Sequence, residues 1–172
     1  MTTSNHAPAA PRGRQVLIER IIRAPRAIVF EAWANPDHLA RWYAPHGCTI
    51  EIRTYDFREG GAFQTCIHTP DGKGCWCHGA FREIVDTERI VFSMEVCDAG
   101  GNPRTAIEAG MHPDWPDETV VTVTFEALGE TTRLTLHQTV SEALAKETGA
   151  HPSWLQMLDQ LDALLNKDPN AG

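Results

Sequence analysis

The sequence predicts an α+β fold in which an antiparallel sheet is covered on one face by a C-terminal helix. Strand-like segments follow one another from residue 48 to residue 140, and several are joined by links short enough for hairpins. Two short helical segments follow the first strand, and a helical pattern with one apolar face begins after Ser141. An antiparallel sheet with one apolar face needs cover. The last helix supplies this cover, and the space between the helix and the sheet is either a packed core or a cavity.

Length and charge favour one soluble domain. The chain has 172 residues and a net charge of -8, which leaves no basic surface to bind nucleic acid. We assign a single domain to residues 14–168 and a disordered tail to residues 1–13, which are rich in Ala, Pro, Ser and Thr. The sequence has no apolar run of about 20 residues. We therefore expect a cytoplasmic location and no membrane partner. Five cysteines at irregular spacing fit reduced thiols.

The first elements are a strand and two short helices. QVLIERII at 15–22 is rich in Ile, Val and Leu and predicts a strand. Pro25 suits the first position of a helix over 27–33. Proline has no backbone N–H, and an N–H at that position would have no partner within the helix. Asn35 and Pro36 repeat this pattern as a cap and a first-turn proline, and predict a second short helix.

The middle of the chain predicts a run of strands. Residues 48–57 alternate between apolar and charged side chains until Gly60 and Gly61 break the pattern. Further strands are predicted at 62–68, 75–85, 89–96, 118–128 and 131–140. Residues 97–117 carry Gly, Pro and Asp throughout and form a long connection of the kind that often has a function.

The C-terminal segment predicts an amphipathic helix. Trp154, Leu158, Leu161 and Leu165 fall at spacings of four, three and four residues, which places them on one helix face. Pro152 lies near the start of this helix, so the residues before it form either a separate helical turn or a kinked extension.

Four segments resemble a known family. They are RIIRAPRAIVFEAWANPDHLARWYAP (20–45), YDFREGGAF (55–63), ERIVFSME (88–95) and VTVTFEALGETTRLTL (121–136). In this order they are similar to the START-like (SRPBCC) proteins related to the activator of heat-shock protein 90 ATPase. The resemblance covers about residues 15 to 166 and implies the helix-grip fold, in which a curved antiparallel sheet grips a long C-terminal helix. This chain differs from the family pattern at Ser153, where the family often has glycine before the tryptophan.

The resemblance also implies a set of functions. The fold often encloses a cavity for an apolar or amphipathic small molecule, so we expect a binding protein with Trp115 in the 97–117 loop acting as a lid. The first alternative is an enzyme of the polyketide cyclase or hydrolase type. A co-chaperone of a heat-shock ATPase is less favoured, because such members carry an additional N-terminal domain. No cofactor is expected, and a homodimer is possible through an exposed sheet edge.

The segment TCIHTPDGKGCWCHG at 65–79 predicts a hairpin. With Asp71 and Gly72 as a two-residue turn, the numbers of opposed residues sum to 143. Trp76 and His78 would then face the cavity, whereas the opposite face would hold a cysteine and histidine patch: Cys66, His68, Cys75 and Cys77. A structural zinc ion on that patch and a disulfide between Cys66 and Cys77 are alternatives to a plain hairpin. A slip of one residue would reverse the faces.

The remaining candidates come from the periodicity of strands and helices. Residues predicted to line the cavity are Trp42, Phe63, Ile67, Trp76, His78, Phe92, Met94, Trp115, Phe125, Trp154 and Leu158. Plain core packing is the alternative for each apolar one. The enzyme alternative depends on His78 as acid or base, because the sequence contains no recognised catalytic signature. Asp56 and Arg58 are interpreted as a structural pair beside the glycine turn, with catalysis as the alternative.

Overall fold

A computed structural model describes residues 14–167 of the protein, and the predicted tail at 1–13 lies outside them. The elements follow the predicted order. They are β1 (Gln15–Ile22), α1 (Arg26–Ala34), α2 (Pro36–Leu39), β2 (Thr49–Tyr55), β3 (Ala62–His68), β4 (Gly74–Val85), β5 (Arg89–Val96), β6 (Glu118–Leu128), β7 (Thr131–Ser141), α3 (Glu142–Thr148) and α4 (Ala150–Lys167).

The seven strands form one curved, open sheet in the order β1-β7-β6-β5-β4-β3-β2. Every neighbouring pair is antiparallel, so the predicted α+β helix-grip architecture is confirmed. We call the side of the sheet that faces α4 the inner face. On it, Leu134 and Leu136 of β7 are buried in one cluster with Leu158 and Leu161 of α4. β1 and β2 are the edges of the sheet, and pairing of two copies there stays a prediction.

The helices begin and end where the sequence provides signals. α1 buries Val29, Phe30, Ala32 and Trp33, while the side chain of Asn35 accepts a 2.9 Å hydrogen bond from the backbone of Asp37 and caps α2. α3 and α4 are separate helices, because the chain takes a φ of 91° at Gly149. Among residues 14–167, no helix has the length and apolar character needed to cross a bilayer.

The predicted register of the hairpin between β3 and β4 is wrong by one residue. The turn contains three residues, Pro70 to Gly72, because the backbone N–H of Thr69 donates to the carbonyl of Lys73 at 2.9 Å. Gly72 closes this turn with a φ of 87°. Opposed residue numbers therefore sum to 142, so that Thr65 pairs with Cys77 and Cys66 with Trp76.

An ion pair fastens the end of β1 to α4. Arg23 donates from its backbone N–H and its guanidinium to Asp162, both at 2.9 Å. Partial burial alone would raise the pKa of Asp162, but the hydrogen bonds from Arg23 outweigh it and hold that pKa below its usual range. The carboxylate therefore stabilises the fold only while it is ionised.

We expect Asp162→Asn to lower the free energy of unfolding by about 1 kcal/mol at pH 7. A carboxyl group with a lowered folded-state pKa stabilises above its ordinary pKa of about 3.9, and that stabilisation disappears as the pH falls through the folded-state value. The difference between the two proteins should therefore shrink in acid. Urea unfolding at pH 7 and near pH 3 measures it, and an equal difference at both values would contradict this role for Arg23.

Candidate functional site

A cavity of about 220 Å³ lies between the inner face of the sheet, the loop at 97–117 and the start of α4. We call it the main cavity. The strands contribute Ile67, Cys77, Met94 and Val96, the loop contributes Met111, Trp115 and Pro116, and α4 contributes Ala150, Ser153, Trp154 and Met157. Its wall is mostly apolar, as is usual for sites that hold small organic molecules.

A second, smaller space lies next to the main cavity. This inner cleft of about 20 Å³ is lined by Trp33, Leu39, Tyr43, Tyr55, Phe63, Thr65, Phe81 and Phe92. Tyr43 and Thr65 line both spaces, which therefore adjoin at these two residues. The site thus has a wide apolar part and a narrow end lined by aromatic and hydroxyl side chains.

The loop at 97–117 covers the main cavity in an ordered conformation. The backbone N–H of Met111 donates to the carbonyl of Ala106 at 2.8 Å, and Ala106 is 2% exposed. His112 Nε2 lies 3.2 Å from Glu147 Oε2 on α3. These contacts hold Met111 and Trp115 over the cavity. The loop therefore has the position that the sequence predicts for a lid.

Three buried polar side chains form a hydrogen-bonded chain at the cavity wall. Trp154 Nε1 donates to Gln138 Oε1 at 2.9 Å, and Gln138 Nε2 donates to Thr119 Oγ1 at 3.1 Å. Each of the three residues is at most 4% exposed. Because buried polar groups are costly when unpaired, this chain fixes the plane of the Trp154 indole and leaves its apolar face for the cavity.

Three methionines from three different elements meet at the main cavity. Met94 lies on β5, Met111 in the loop and Met157 on α4. Methionine has a flexible, polarizable side chain that adapts to irregular shapes. A wall of this composition can adjust to molecules of somewhat different outline.

Nine of the predicted cavity residues divide into three groups. Ile67, Met94, Trp115 and Trp154 line the main cavity, and Phe63 and Phe92 line the inner cleft. Trp42, Phe125 and Leu158 line neither space and are packed in the core. Trp42, for example, lies edge-on to Trp33 at 4.7 Å between ring centroids, and its Nε1 donates to the carbonyl of Ala32 at 3.0 Å. Core packing is therefore the better interpretation of these three.

The prediction that His78 and Trp76 point into the cavity fails with the register. His78 is opposite Gln64 and lies on the outer face, where its Nε2 is 3.1 Å from Glu95 Oε1. Although Trp76 borders the main cavity, its indole packs on the outer face, with the guanidinium of Arg53 4.2 Å from the ring centroid. The proposed acid or base thus lies on the wrong side of the sheet.

The cysteine and histidine patch is also divided by the corrected register. Cys66 and His68 lie on the outer face, whereas Cys75 and Cys77 alternate onto the inner face with Thr65 and Ile67. No cluster of three or more metal-binding side chains occurs among residues 14–167. The five cysteines all fall within this range and are free thiols, and the predicted opposition of Cys66 and Cys77 is wrong, because Cys66 pairs with Trp76 and Cys77 with Thr65.

Cys66, His68 and Glu51 stand in a row that resembles a catalytic triad. Cys66 Sγ is 3.9 Å from His68 Nδ1, and His68 Nε2 is 2.9 Å from Glu51 Oε1. However, Cys66 is fully buried, and this burial raises the pKa of its thiol. A thiol that cannot meet a substrate and resists ionisation is not a nucleophile, so the row is structural.

Asp56 and Arg58 form the local pair that their sequence suggests. Arg58 Nε lies 2.9 Å from Asp56 Oδ2, beside the turn at Gly60 and Gly61, and neither residue lines the main cavity or the inner cleft. This geometry favours the structural interpretation of the pair over catalysis.

Comparison with known proteins identifies the family. The profile described as "Activator of Hsp90 ATPase homolog 1-like protein" matches residues 23–166. A crystal structure from Chromobacterium violaceum is 27% identical, with a TM-score of 0.72, and the match covers 90% of this chain and 96% of that one. A solution structure from Arthrobacter aurescens is 25% identical, with a TM-score of 0.75 and coverage of 91% and 88%.

A third structure, the AHSA1 protein from Silicibacter pomeroyi, is 17% identical, with a TM-score of 0.70 and coverage of 90% and 99%. At that identity it supports the fold alone. None of the curated proteins compared with the chain gives a significant match. The family profile spans most of the domain, and the sheet and helix arrangement agrees with these structures. The chain therefore belongs to the family of Activator of Hsp90 ATPase homolog 1-like proteins.

Proposed function

We propose that the protein binds a small, mostly apolar molecule in the main cavity. The observation that carries this proposal is an apolar space of about 220 Å³ covered by an ordered loop. A cavity of about 150 Å³ is large enough for benzene, and sites for drug-sized molecules begin near 300 Å³. A ligand with one or two rings fits between these limits.

The groups at the cavity wall favour binding over acid–base catalysis. General acid–base catalysis needs a titratable group within hydrogen-bond reach of the substrate. Burial raises the pKa of Tyr43 and of the Cys77 thiol, so both stay protonated near neutral pH. His78 lies on the opposite face of the sheet. The enzyme alternative therefore lacks the residue on which it was based.

The co-chaperone alternative rests on the family name alone. That name refers to activation of the Hsp90 ATPase. The main cavity has the size of a small molecule and does not help to dock a large ATPase. Binding of a small ligand is the function that the geometry supports best.

Titration of the protein with naphthalene tests the proposal. Naphthalene has two fused rings and no polar group, so it reports on the apolar wall alone. We expect saturable binding of one molecule per protein chain. Native mass spectrometry and ligand-observed NMR measure it. Linear, unsaturable uptake, or no uptake up to the solubility limit of naphthalene, would contradict a preformed site.

A further inference from the structure

A tryptophan on the wall of the inner cleft carries a buried hydrogen-bond donor that has no acceptor. Trp33 is 1% exposed and lines the cleft, and among residues 14–167 its Nε1 has no hydrogen-bond partner. A buried donor left unpaired loses its hydration without compensation, so such groups are rare without a ligand or water. By contrast, the neighbouring indole of Trp42 donates to the carbonyl of Ala32.

Two hydroxyl groups accompany Trp33 at this end of the site. Tyr43 and Thr65 line both the inner cleft and the main cavity, and both are buried. Because burial raises the pKa of the Tyr43 phenol, it stays protonated and can donate a hydrogen bond. The junction of the two spaces is therefore rich in neutral donors.

The charges around the site argue against an anionic ligand. None of the described residues that line the main cavity or the inner cleft is Lys, Arg or His. The charged residues that border the main cavity are Glu95 and Asp117, both acidic. A carboxylate would lose its hydration without gaining a cation and would meet two negative neighbours.

We propose that the inner cleft binds the hydrogen-bond acceptor of an uncharged ligand, whose apolar body occupies the main cavity. The hydroxyls of Tyr43 and Thr65, which line both spaces, are the donors that meet the ligand first, with the indole N–H of Trp33 in the wall beside them. The ligand class is a ketone, aldehyde, ester or amide attached to one or two rings. This inference rests on the proposed function and adds the polarity, the charge and the orientation of the ligand.

Three probes of nearly equal shape test this inference on the unmodified protein: acetophenone, α-methylstyrene and benzoate. α-Methylstyrene replaces the carbonyl oxygen of acetophenone by a methylene group, and benzoate replaces the acetyl group by a carboxylate. We expect acetophenone to bind about five- to tenfold more tightly than α-methylstyrene, since one hydrogen bond contributes about 1 kcal/mol or slightly more. Benzoate should bind most weakly.

The outcomes separate the two proposals. Equal affinity of acetophenone and α-methylstyrene would overturn the acceptor site and leave the binding function intact. A water molecule that already accepts from Trp33 Nε1 would give this result. Tightest binding of benzoate would overturn the assignment of an uncharged ligand. If neither neutral probe nor naphthalene binds, the proposed function fails and this inference fails with it.

Variants then locate the donor. Tyr43→Phe and Thr65→Val should each remove part of the preference for acetophenone over α-methylstyrene, and Trp33→Phe should also reduce it. Thr122→Val, on the outer face of β6, makes the same change as Thr65→Val away from the site and should keep the preference. A full preference retained in all three site variants would overturn the assignment. If Trp33→Phe does not fold, the other two variants and the probe comparison still decide.

Discussion

Replacing Ala150 by phenylalanine is expected to weaken the binding of naphthalene strongly. Ala150 lies in the first turn of α4, on the wall of the main cavity. A benzene ring needs most of a cavity of about 150 Å³, so a phenyl side chain here would occupy much of the about 220 Å³ available. The affinity for naphthalene should fall at least about tenfold, which corresponds to about 1.4 kcal/mol.

The same substitution at Ala163 provides the matched control. Ala163 is on the same helix but is exposed to solvent. Ala163→Phe should therefore bind naphthalene as the unmodified protein does. Native mass spectrometry compares the three proteins at one ligand concentration, and circular dichroism checks that each is folded. Equal binding by Ala150→Phe and Ala163→Phe would place the ligand elsewhere.

Replacing Gly79 by alanine is expected to destabilise the fold strongly. Gly79 is opposite Phe63 in the hairpin of β3 and β4. A Cβ atom at this position would lie 1.8 Å from the carbonyl oxygen of Ser93 on β5 and 2.8 Å from Cε2 of Phe63. The backbone of β5 cannot move away without breaking its ladder, so we expect a loss of about 3 kcal/mol or more in the free energy of unfolding.

Gly100→Ala is the control for this prediction. Gly100 lies in the loop, where an added Cβ would come no closer than 3.3 Å, to the amide nitrogen of the Asn102 side chain. That side chain can move, so the cost should stay below about 1 kcal/mol. Chemical denaturation measures both variants. Similar unfolding midpoints for Gly79→Ala and Gly100→Ala would show that β4 and β5 are not in the register described here.

The fold could be predicted because each of its elements has a local signal. The alternation in β2, the capping by Asn35 and the spacing of Trp154, Leu158 and Leu161 are properties of neighbouring residues. The hairpin register depends instead on the number of residues in a turn. Pro70, Asp71 and Gly72 suit a two-residue and a three-residue turn equally well by composition, and the choice reverses the faces of Trp76 and His78.

The site could be predicted only in part. Gln138 is in phase with the inward Leu134 and Leu136, so a polar residue on the inner face was readable from the sequence and was missed. Tyr43 and Met111 carry no such signal, because a turn after α2 and a long loop bring them to the cavity through tertiary contacts. Trp42 and Phe125 were predicted to line the cavity but lie in the core, because aromatic residues at core positions and at cavity walls have the same periodicity.

Methionine methyl NMR tests the central claim most directly. The chain has four methionines, and three of them, Met94, Met111 and Met157, line the main cavity. With ¹³C-methyl-labelled methionine, naphthalene should shift these three methyl signals together, with a single affinity, and give intermolecular NOEs to each. Signals that stay unchanged while naphthalene reaches its solubility limit would contradict the account of this cavity as a binding site.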